Sequence, residues 1–418
     1  QVLSSATAVG WPIHLMGKGG PPKGKCAVQP KGKGKGSQTL DWREKRKQEE
    51  EAQKNVVRVN LRRIPSGCLD NPRWETAFAA EASAEGSDGV VFIASMAGGF
   101  IVKASSKPAE EYFATKVMRY LGVRSPDTRI TCHVDSEWRD IKTAINTCVD
   151  RAKSRGDRET AARLQQRLDG SLNRAQLSIY TLIPHAAPML ANSLACAFFD
   201  GEAVSDKCAQ ELEMIGRCLA ADVLLNNSDR FMAPCWDNEG NAENLLLASD
   251  RTHANKPDLQ VVAIDSAGTC VSTKNDKFYE YLRRAKSFLQ SVCDEATALD
   301  ALRQLQTFIK QNCGASLADA ALLNVRKGVL QVIAKVAECS FIDWLVALQT
   351  HVEKDVVRID WEHVWQKSAK LIDVIFLRRM VEMFREIAEL HQRILPAPPE
   401  AYVEAIPTIL SENRLGMS

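Results

Sequence analysis

The chain has 418 residues, 45% of them hydrophobic and 25% charged, against a usual domain of about 100–150 residues. It is therefore long enough for two lobes and a large core. No apolar run approaches the roughly 18 residues needed to cross a bilayer, and Gln1-Val2-Leu3-Ser4-Ser5-Ala6 does not read as a secretory signal. The net charge of +2 is uneven: residues 1–37 carry six lysines and no acid, which leaves the remainder at −4.

Twelve cysteines are scattered with no C-x-x-C pair. They read as free, buried thiols of a protein in a reducing, cytoplasmic setting, not as a disulfide framework or zinc site. Residues 17–37 alternate Gly, Lys and Pro and bury too little apolar surface to offset chain entropy. The basic tail is expected to be disordered, a solvated linker with charge suited to anionic surfaces. Residues 41–54 mix both signs of charge and suit an exposed helix. Residues 1–54 are accordingly set apart from the fold.

Strand signals begin at Val56–Leu61. They strengthen at Gly89–Ser95 and Phe100–Ala104, two apolar β-branched runs around Met96-Ala97-Gly98-Gly99, which predicts a hairpin. Pro108, followed by Glu110 and Glu111, starts a helix that runs to Leu121 and stops at Gly122. Residues 134–170 are charged and helix-forming, a helical excursion. Leu177–Ile183 then reads as a buried strand ended by Pro184. From about 205 the chain is helical. Two short strand-like runs interrupt it, Leu245–Leu247 and Val261–Ile264, and amphipathic helix fills 277 to about 395. The expected class is α+β, bilobal, with a small β-rich N-lobe over 55–183 and a mostly helical C-lobe over 184–400, followed by a tail at 401–418.

The stretch 222–265 carries the chemistry. It holds an Asp-Arg pair at a helix-to-loop boundary (Asp229, Arg230), Asn244 directly before an apolar strand, and Asp265 directly after the next. Phosphoryl transfer needs such a set: one carboxylate to orient the attacking hydroxyl and take its proton, an amide and a second carboxylate to hold Mg²⁺. Taken singly, each has an ordinary reading, a turn residue or a surface ion pair; the order is what points to a site. Phe231 and Trp236, in the loop between, read as core.

Two linked motifs make the stretch resemble the actin-fragmin kinase family, a divergent branch of the protein-kinase-like fold. That family carries D-V-L-x-N-N-x-D-R and then N-E-G-N-x-x-N. This chain has Asp222-Val223-Leu224-Leu225-Asn226-Asn227-Ser228-Asp229-Arg230 and then Asn238-Glu239-Gly240-Asn241-Ala242-Glu243-Asn244. The resemblance implies a bilobal kinase-like fold using ATP and Mg²⁺. Asp229, as the base, would form the catalytic set with Arg230 and Lys103, and Asn244 and Asp265 would be the metal ligands. It also implies that Lys103 holds the α- and β-phosphates, paired with Glu111 or Glu110, with Glu111 slightly favoured. The turn residues Ala97, Gly98 and Gly99 would lie over the phosphates, and Ile183, Pro184 and His185 would form the hinge against adenine.

The departures are visible too. There is no H-R-D or A-P-E. Fifteen residues separate Asp229 from Asn244, where ordinary protein kinases have about five, and Asp265-Ser266-Ala267 stands for D-F-G. The expected activity is phosphoryl transfer from ATP to a Ser or Thr of a protein. Actin or an actin-associated protein is the acceptor implied by the resemblance. The competing expectation is a pseudokinase or nucleotide-binding scaffold.

Overall fold

A computed structural model of the protein describes residues 61–83, 89–189, 193–200, 204–250, 258–268, 270, 273–354 and 363–396. The basic tail, the charged segment 41–54, most of the Val56–Leu61 run and the tail at 401–418 lie outside the described residues. Leu61 itself opens a short 3₁₀ turn, Leu61–Arg63.

The N-terminal lobe is a five-stranded antiparallel sheet of β1 (Ala79–Ala82), β2 (Val90–Ser95), β3 (Gly98–Lys103), β4 (Thr128–Cys132) and β5 (Gln176–Thr181), in the order β1-β2-β3-β5-β4. The predicted hairpin is β2–β3, paired from Val90↔Lys103 to Ser95↔Gly98. Its turn is therefore the two residues Met96 and Ala97. Alternation along the strands sends Val91, Ile93, Phe100, Val102, Leu177 and Ile179 into one core. Two helices cover that face, α2 (Ser136–Ser154) and α3 (Arg158–Asp169). They bring Ile141, Ile145, Val149, Leu164 and Leu168 into the same cluster. Residues 134–170 are thus helical as expected, but they form the second layer of this lobe and not an excursion from it. Helix α1 (Pro108–Tyr120) follows β3, with Gly122 at φ +73° just past its end.

A second sheet has three strands. It contains β6 (Ala187–Pro188), β7 (Leu245–Asp250) and β8 (Asp258–Ala263) in sequence order. The remaining described elements are helices: α4 (Ser193–Phe199), α5 (Asp206–Leu225), α6 (Asp276–Cys293), α7 (Ala298–Cys313), α8 (Asp319–Ala337), α9 (Cys339–Lys354), α10 (Val364–Ala369) and α11 (Val374–Leu390). The architecture is the bilobal α+β class read from the sequence. No disulfide joins the described cysteines, and most of them are buried or half-buried.

Helix α5 runs through the C-lobe core and carries the candidate catalytic loop at its C-terminal end. Ser205 Oγ caps its start by accepting from the Cys208 N–H at 3.2 Å. It crosses α8 at two glycines. A Cβ on Gly216 would stand 2.0 Å from the Val325 carbonyl oxygen, and one on Gly328 would stand 2.0 Å from that of Glu213. The obstacle in each case is backbone, so neighbouring side chains cannot yield. Gly328→Val is expected to lower the urea midpoint by an amount corresponding to about 3 kcal/mol. An unchanged midpoint would remove the close crossing as the support of α5.

Candidate active site

Helix α5 ends because Asn226 takes a left-handed conformation, φ +51°, which Asn tolerates better than most residues. The Asn227 N–H then donates back to the Asp222 carbonyl at 2.9 Å, and Asn227 Nδ2 donates to Asp222 Oδ1 at 2.8 Å. The chain turns out of the helix at Ser228 and presents Asp229 at the surface while Arg230 goes inward, with no exposure at all.

The second motif folds back on the first. Asn238 Nδ2 donates to the Ser228 carbonyl. Gly240, at φ +69°, lies so close to the Phe231 backbone that a Cβ would come within 2.7 Å of its carbonyl carbon. The Asn241 N–H donates to the Arg230 carbonyl at 3.2 Å, and Asn241 Oδ1 accepts from the Glu243 N–H at 3.0 Å, which opens the 3₁₀ turn Ala242–Asn244. That turn delivers Asn244, whose Nδ2 donates to Asp229 Oδ2 at 3.1 Å and to the Asp229 carbonyl at 3.3 Å. With the nitrogen so engaged, the amide oxygen of Asn244 is the atom left for a cation. Phe231 and Trp236 are buried, as expected, and Trp236 Nε1 donates to Asn226 Oδ1 at 3.0 Å.

Arg230 ties these pieces to the strand pair. Its Nη1 donates to Asp222 Oδ1 at 2.5 Å, its Nε to the Asn244 carbonyl at 3.4 Å, and its Nη2 to the Ile264 carbonyl at 2.8 Å and to Ser266 Oγ at 3.0 Å. The Ile264 N–H also donates to the Asn244 carbonyl at 3.0 Å. Asp265, at φ +52°, is therefore held between two residues bonded to one guanidinium. This corrects the expectation that Arg230 acts in catalysis: it is enclosed, and its partners, Cys218 Sγ at 3.5 Å included, belong to the protein's own scaffold. Burial pushes the Asp222 carboxyl up to about 6. Arg230 and Asn227 oppose that rise and favour the carboxylate.

Across the cleft, Lys103 Nζ lies 3.1 Å from Glu111 Oε1 and 2.6 Å from Asp265 Oδ1. Ser105 Oγ donates to Glu111 Oε1 at 2.6 Å and the Tyr180 hydroxyl to Glu111 Oε2 at 3.4 Å. Burial alone would discharge Lys103, but Glu111 and Asp265 outweigh it and hold the ammonium well above its usual range. Glu111 is pushed up by burial, with Lys103 opposing. Of the two candidate glutamates, then, Glu111 reaches the lysine. Glu110 points elsewhere, 4.0 Å from Lys107 Nζ, and its Oε1 has no hydrogen-bond partner.

The turn expected to cradle phosphate is otherwise occupied. The Met96 N–H donates to Thr76 Oγ1, the Ala97 N–H to Ser95 Oγ, and the Gly99 N–H to the Pro65 carbonyl, at 3.1, 3.1 and 2.8 Å. An amide cradle at Ala97 and Gly99 is thus not what the structure offers; both donors are engaged within the protein. Gly98, at φ +114°, lies against the Ser66–Gly67 backbone. Ile183, Pro184 and His185 span the passage from β5 to β6, half-buried, with His185 at φ +53°. Ser105, Tyr180, Asp222 and Ser266 were not singled out by sequence. Only Asp222 carried a signal, as the first residue of the first motif.

These residues are hard oxygen donors beside a paired ammonium. Among the described residues no cluster of three His, Cys, Asp or Glu could hold a metal unaided. An amide oxygen from Asn244 and a carboxylate from Asp265, with waters and phosphates completing the shell, suit Mg²⁺, which keeps several non-protein ligands.

The family model of the actin-fragmin kinase catalytic domain matches residues 52–333. The chain belongs to that family. The family comprises atypical, kinase-like phosphotransferases, and the match covers both motifs, the β2–β3 hairpin and the first helices of the C-lobe. The chain is also similar to the dual specificity protein phosphatase PHS1 of Arabidopsis thaliana, 26% identical over 189 residues. That match takes in 44% of this chain and 19% of the relative, so the chain spans about a fifth of the relative's length.

Two outcomes are expected. Arg230→Met leaves Asp222 buried without its cation and should cost about 3–5 kcal/mol in stability, read by chemical unfolding. Glu110 yields a pH effect. Its burial, with Glu111 adding to it and Lys107 and the Gly268 N–H opposing, pushes the carboxyl from 4.5 up to about 7. Between those values the folded protein holds a proton that the unfolded chain has released, so stability falls as pH rises from 4.5 to 7, by roughly 3 kcal/mol at most. Glu110→Gln should flatten that slope and raise the thermal midpoint at pH 8 while changing little near pH 4.5. A parallel pH profile in parent and variant would refute this.

Proposed function

We propose that this protein is an ATP- and Mg²⁺-dependent protein kinase that transfers a phosphoryl group to a Ser or Thr hydroxyl. The observation that carries the reading is the Lys103 ammonium, held by Glu111 from the N-lobe and touching Asp265 from the C-lobe, 3.1 and 2.6 Å away. A carboxylate oxygen at 2.6 Å marks the place where an anionic oxygen binds Lys103, and a nucleotide phosphate has the same chemistry.

Asp229 is an exposed carboxylate of the loop, next to the end of α5. Its Oδ2 is oriented by Asn244, so the acceptor hydroxyl can approach it from solvent and deliver its proton there as attack begins. Asn244 and Asp265 would supply oxygens to hold Mg²⁺. Lys103, held by Glu111, would neutralise phosphate charge. When bound, Mg²⁺-ATP supplies the phosphoryl group and the cation that offsets charge on it. Ile183–His185 would border the adenine; the turn at Met96–Ala97 offers cover and not amide donors.

The family name supports actin or an actin-associated protein as acceptor, in the cytoplasm, with the basic tail free to touch anionic surfaces. The phosphatase in the relative's name finds little support here. Where burial shifts a described cysteine, as at Cys208, Cys218, Cys235 and Cys313, the thiol is pushed up, away from the thiolate a cysteine nucleophile needs. A nucleotide-binding scaffold is the second reading, favoured by the engaged amides of the short turn.

Incubation with γ-labelled ATP, Mg²⁺ and candidate acceptors, actin included, tests the proposal. Asp229→Ala and Asp265→Ala should each lose about 10²-fold or more in phosphoryl transfer. Equal labelling by parent and variants, or nucleotide bound with no transfer by any of them, would leave the scaffold reading standing.

A further inference from the structure

Glu111 meets Lys103 only if helix α1 stands where it does, and the first turn of that helix has no cap of its own. Its N-cap residue, Lys107, makes no side-chain cap bond, and Pro108 has no N–H to give. The next two donors, the N–H groups of Ala109 and Glu110, both point to Ser368 Oγ, at 2.9 and 3.0 Å. Ser368 is buried, lies in α10 and comes more than 250 positions later in the chain. The capping that Ser or Asp usually provides locally is here provided by a distant element.

The rest of α1 leans on the same region. Tyr112 faces Trp365 of α10, with ring centroids 6.3 Å apart. About two turns further along, Tyr120 stacks on Trp344 of α9 at 3.9 Å and meets Phe341 at 5.6 Å. Trp365 is among the largest fully buried side chains, and its Nε1 donates to the Val352 carbonyl at 2.8 Å, which fastens α10 to α9. All of these contact residues, 341 to 368, lie beyond the segment 52–333 matched to the family.

We infer that α9 and α10 form a built-in brace for α1, in which Ser368 and Trp365 are positioning residues that keep Glu111 against Lys103. The inference rests on the proposed kinase reading and adds to it. In kinases generally the lysine–glutamate pair must be in place for transfer, and activation-loop phosphorylation or outside partners often govern it. This chain has no A-P-E, and its own C-terminal helices do the holding. The pair is therefore assembled in the unmodified protein, and no phosphorylation of the segment after Asp265 is required.

The test uses the full chain and the variants Ser368→Ala, Ser368→Thr, Glu111→Gln and the double variant Ser368→Ala/Glu111→Gln. Amide hydrogen exchange over 108–120, Mg²⁺-ATP affinity and kcat are measured. Ser368→Ala should speed exchange in α1 about tenfold, the equivalent of one lost hydrogen bond or two, and lower kcat with little change in KM for the acceptor. Ser368→Thr, which keeps the hydroxyl, should stay near the parent. Because Ser368 acts through Glu111, the double variant should be no slower than Glu111→Gln alone. Unchanged exchange in Ser368→Ala, or losses that multiply in the double variant, would overturn the brace. Should Ser368→Ala fail to fold, Tyr120→Leu probes the other end of α1 with the same expected and overturning outcomes. A parent protein that transfers no phosphate would refute the kinase reading alone, since exchange and Mg²⁺-ATP affinity still report on α1.

Discussion

A guanidinium enclosed by protein governs the geometry of this site. An arginine and a carboxylate taken out of water carry a large desolvation cost, and close pairing with further hydrogen bonds must offset it. Arg230 finds Asp222 at 2.5 Å and also donates to the Asn244 and Ile264 carbonyls, Ser266 Oγ and Cys218 Sγ. Those acceptors belong to the end of α5, the turn before β7 and the exit of β8. Such a set is satisfied in one arrangement, so the electrostatics of one buried cation fix the relative places of Asp229, Asn244 and Asp265. The polar residues of the site inherit their positions from a residue that does not face the cleft.

The second half of the site is joined to the first by a single lysine. Lys103 stands at the end of β3, Glu111 in α1 and Asp265 after β8, so one ammonium spans both lobes. A charge bound on two sides is costly to strand, and this couples the posture of α1 to the posture of the loop after β8. The N-lobe sheet contributes rigidity. Its inner face is filled by α2 and α3, which leaves β3 little freedom to carry Lys103 away.

Much of this was legible in the sequence where chemistry is local. The hairpin followed from two β-branched runs about a glycine pair, and α1 from Pro108 and its acidic first turn. The two motifs identified the loop because Asn226, Asn238, Gly240 and Asn241 each answer a local backbone demand. β1 was not legible, since Ala79-Ala80-Glu81-Ala82 has little strand propensity and pairs only because β2 lies beside it. Arg230 was misread because adjacency to Asp229 suggested a shared task, while burial is a property of the fold. The sequence favours Glu111 over Glu110 only slightly because both sit in one helical turn, and a step of one residue, about 100° of rotation, separates a cleft-facing side chain from one facing Lys107. The cap from Ser368 had no local signal at all, being a contact across most of the chain.

The crossing of α5 and α8 carries an evolutionary consequence. Gly216 and Gly328 each face the other helix's carbonyl oxygens at a separation that leaves no room for a methyl group. A shrinking partner side chain cannot rescue an enlargement at either position, because no side chain stands in the way. Descendants of this protein can alter one glycine only by spreading the two helices, and α5 would then carry its terminal loop with it. Two small, chemically silent positions, more than a hundred residues apart, are therefore bound to a common fate, and drift at either is answered for at the loop that carries Asp229.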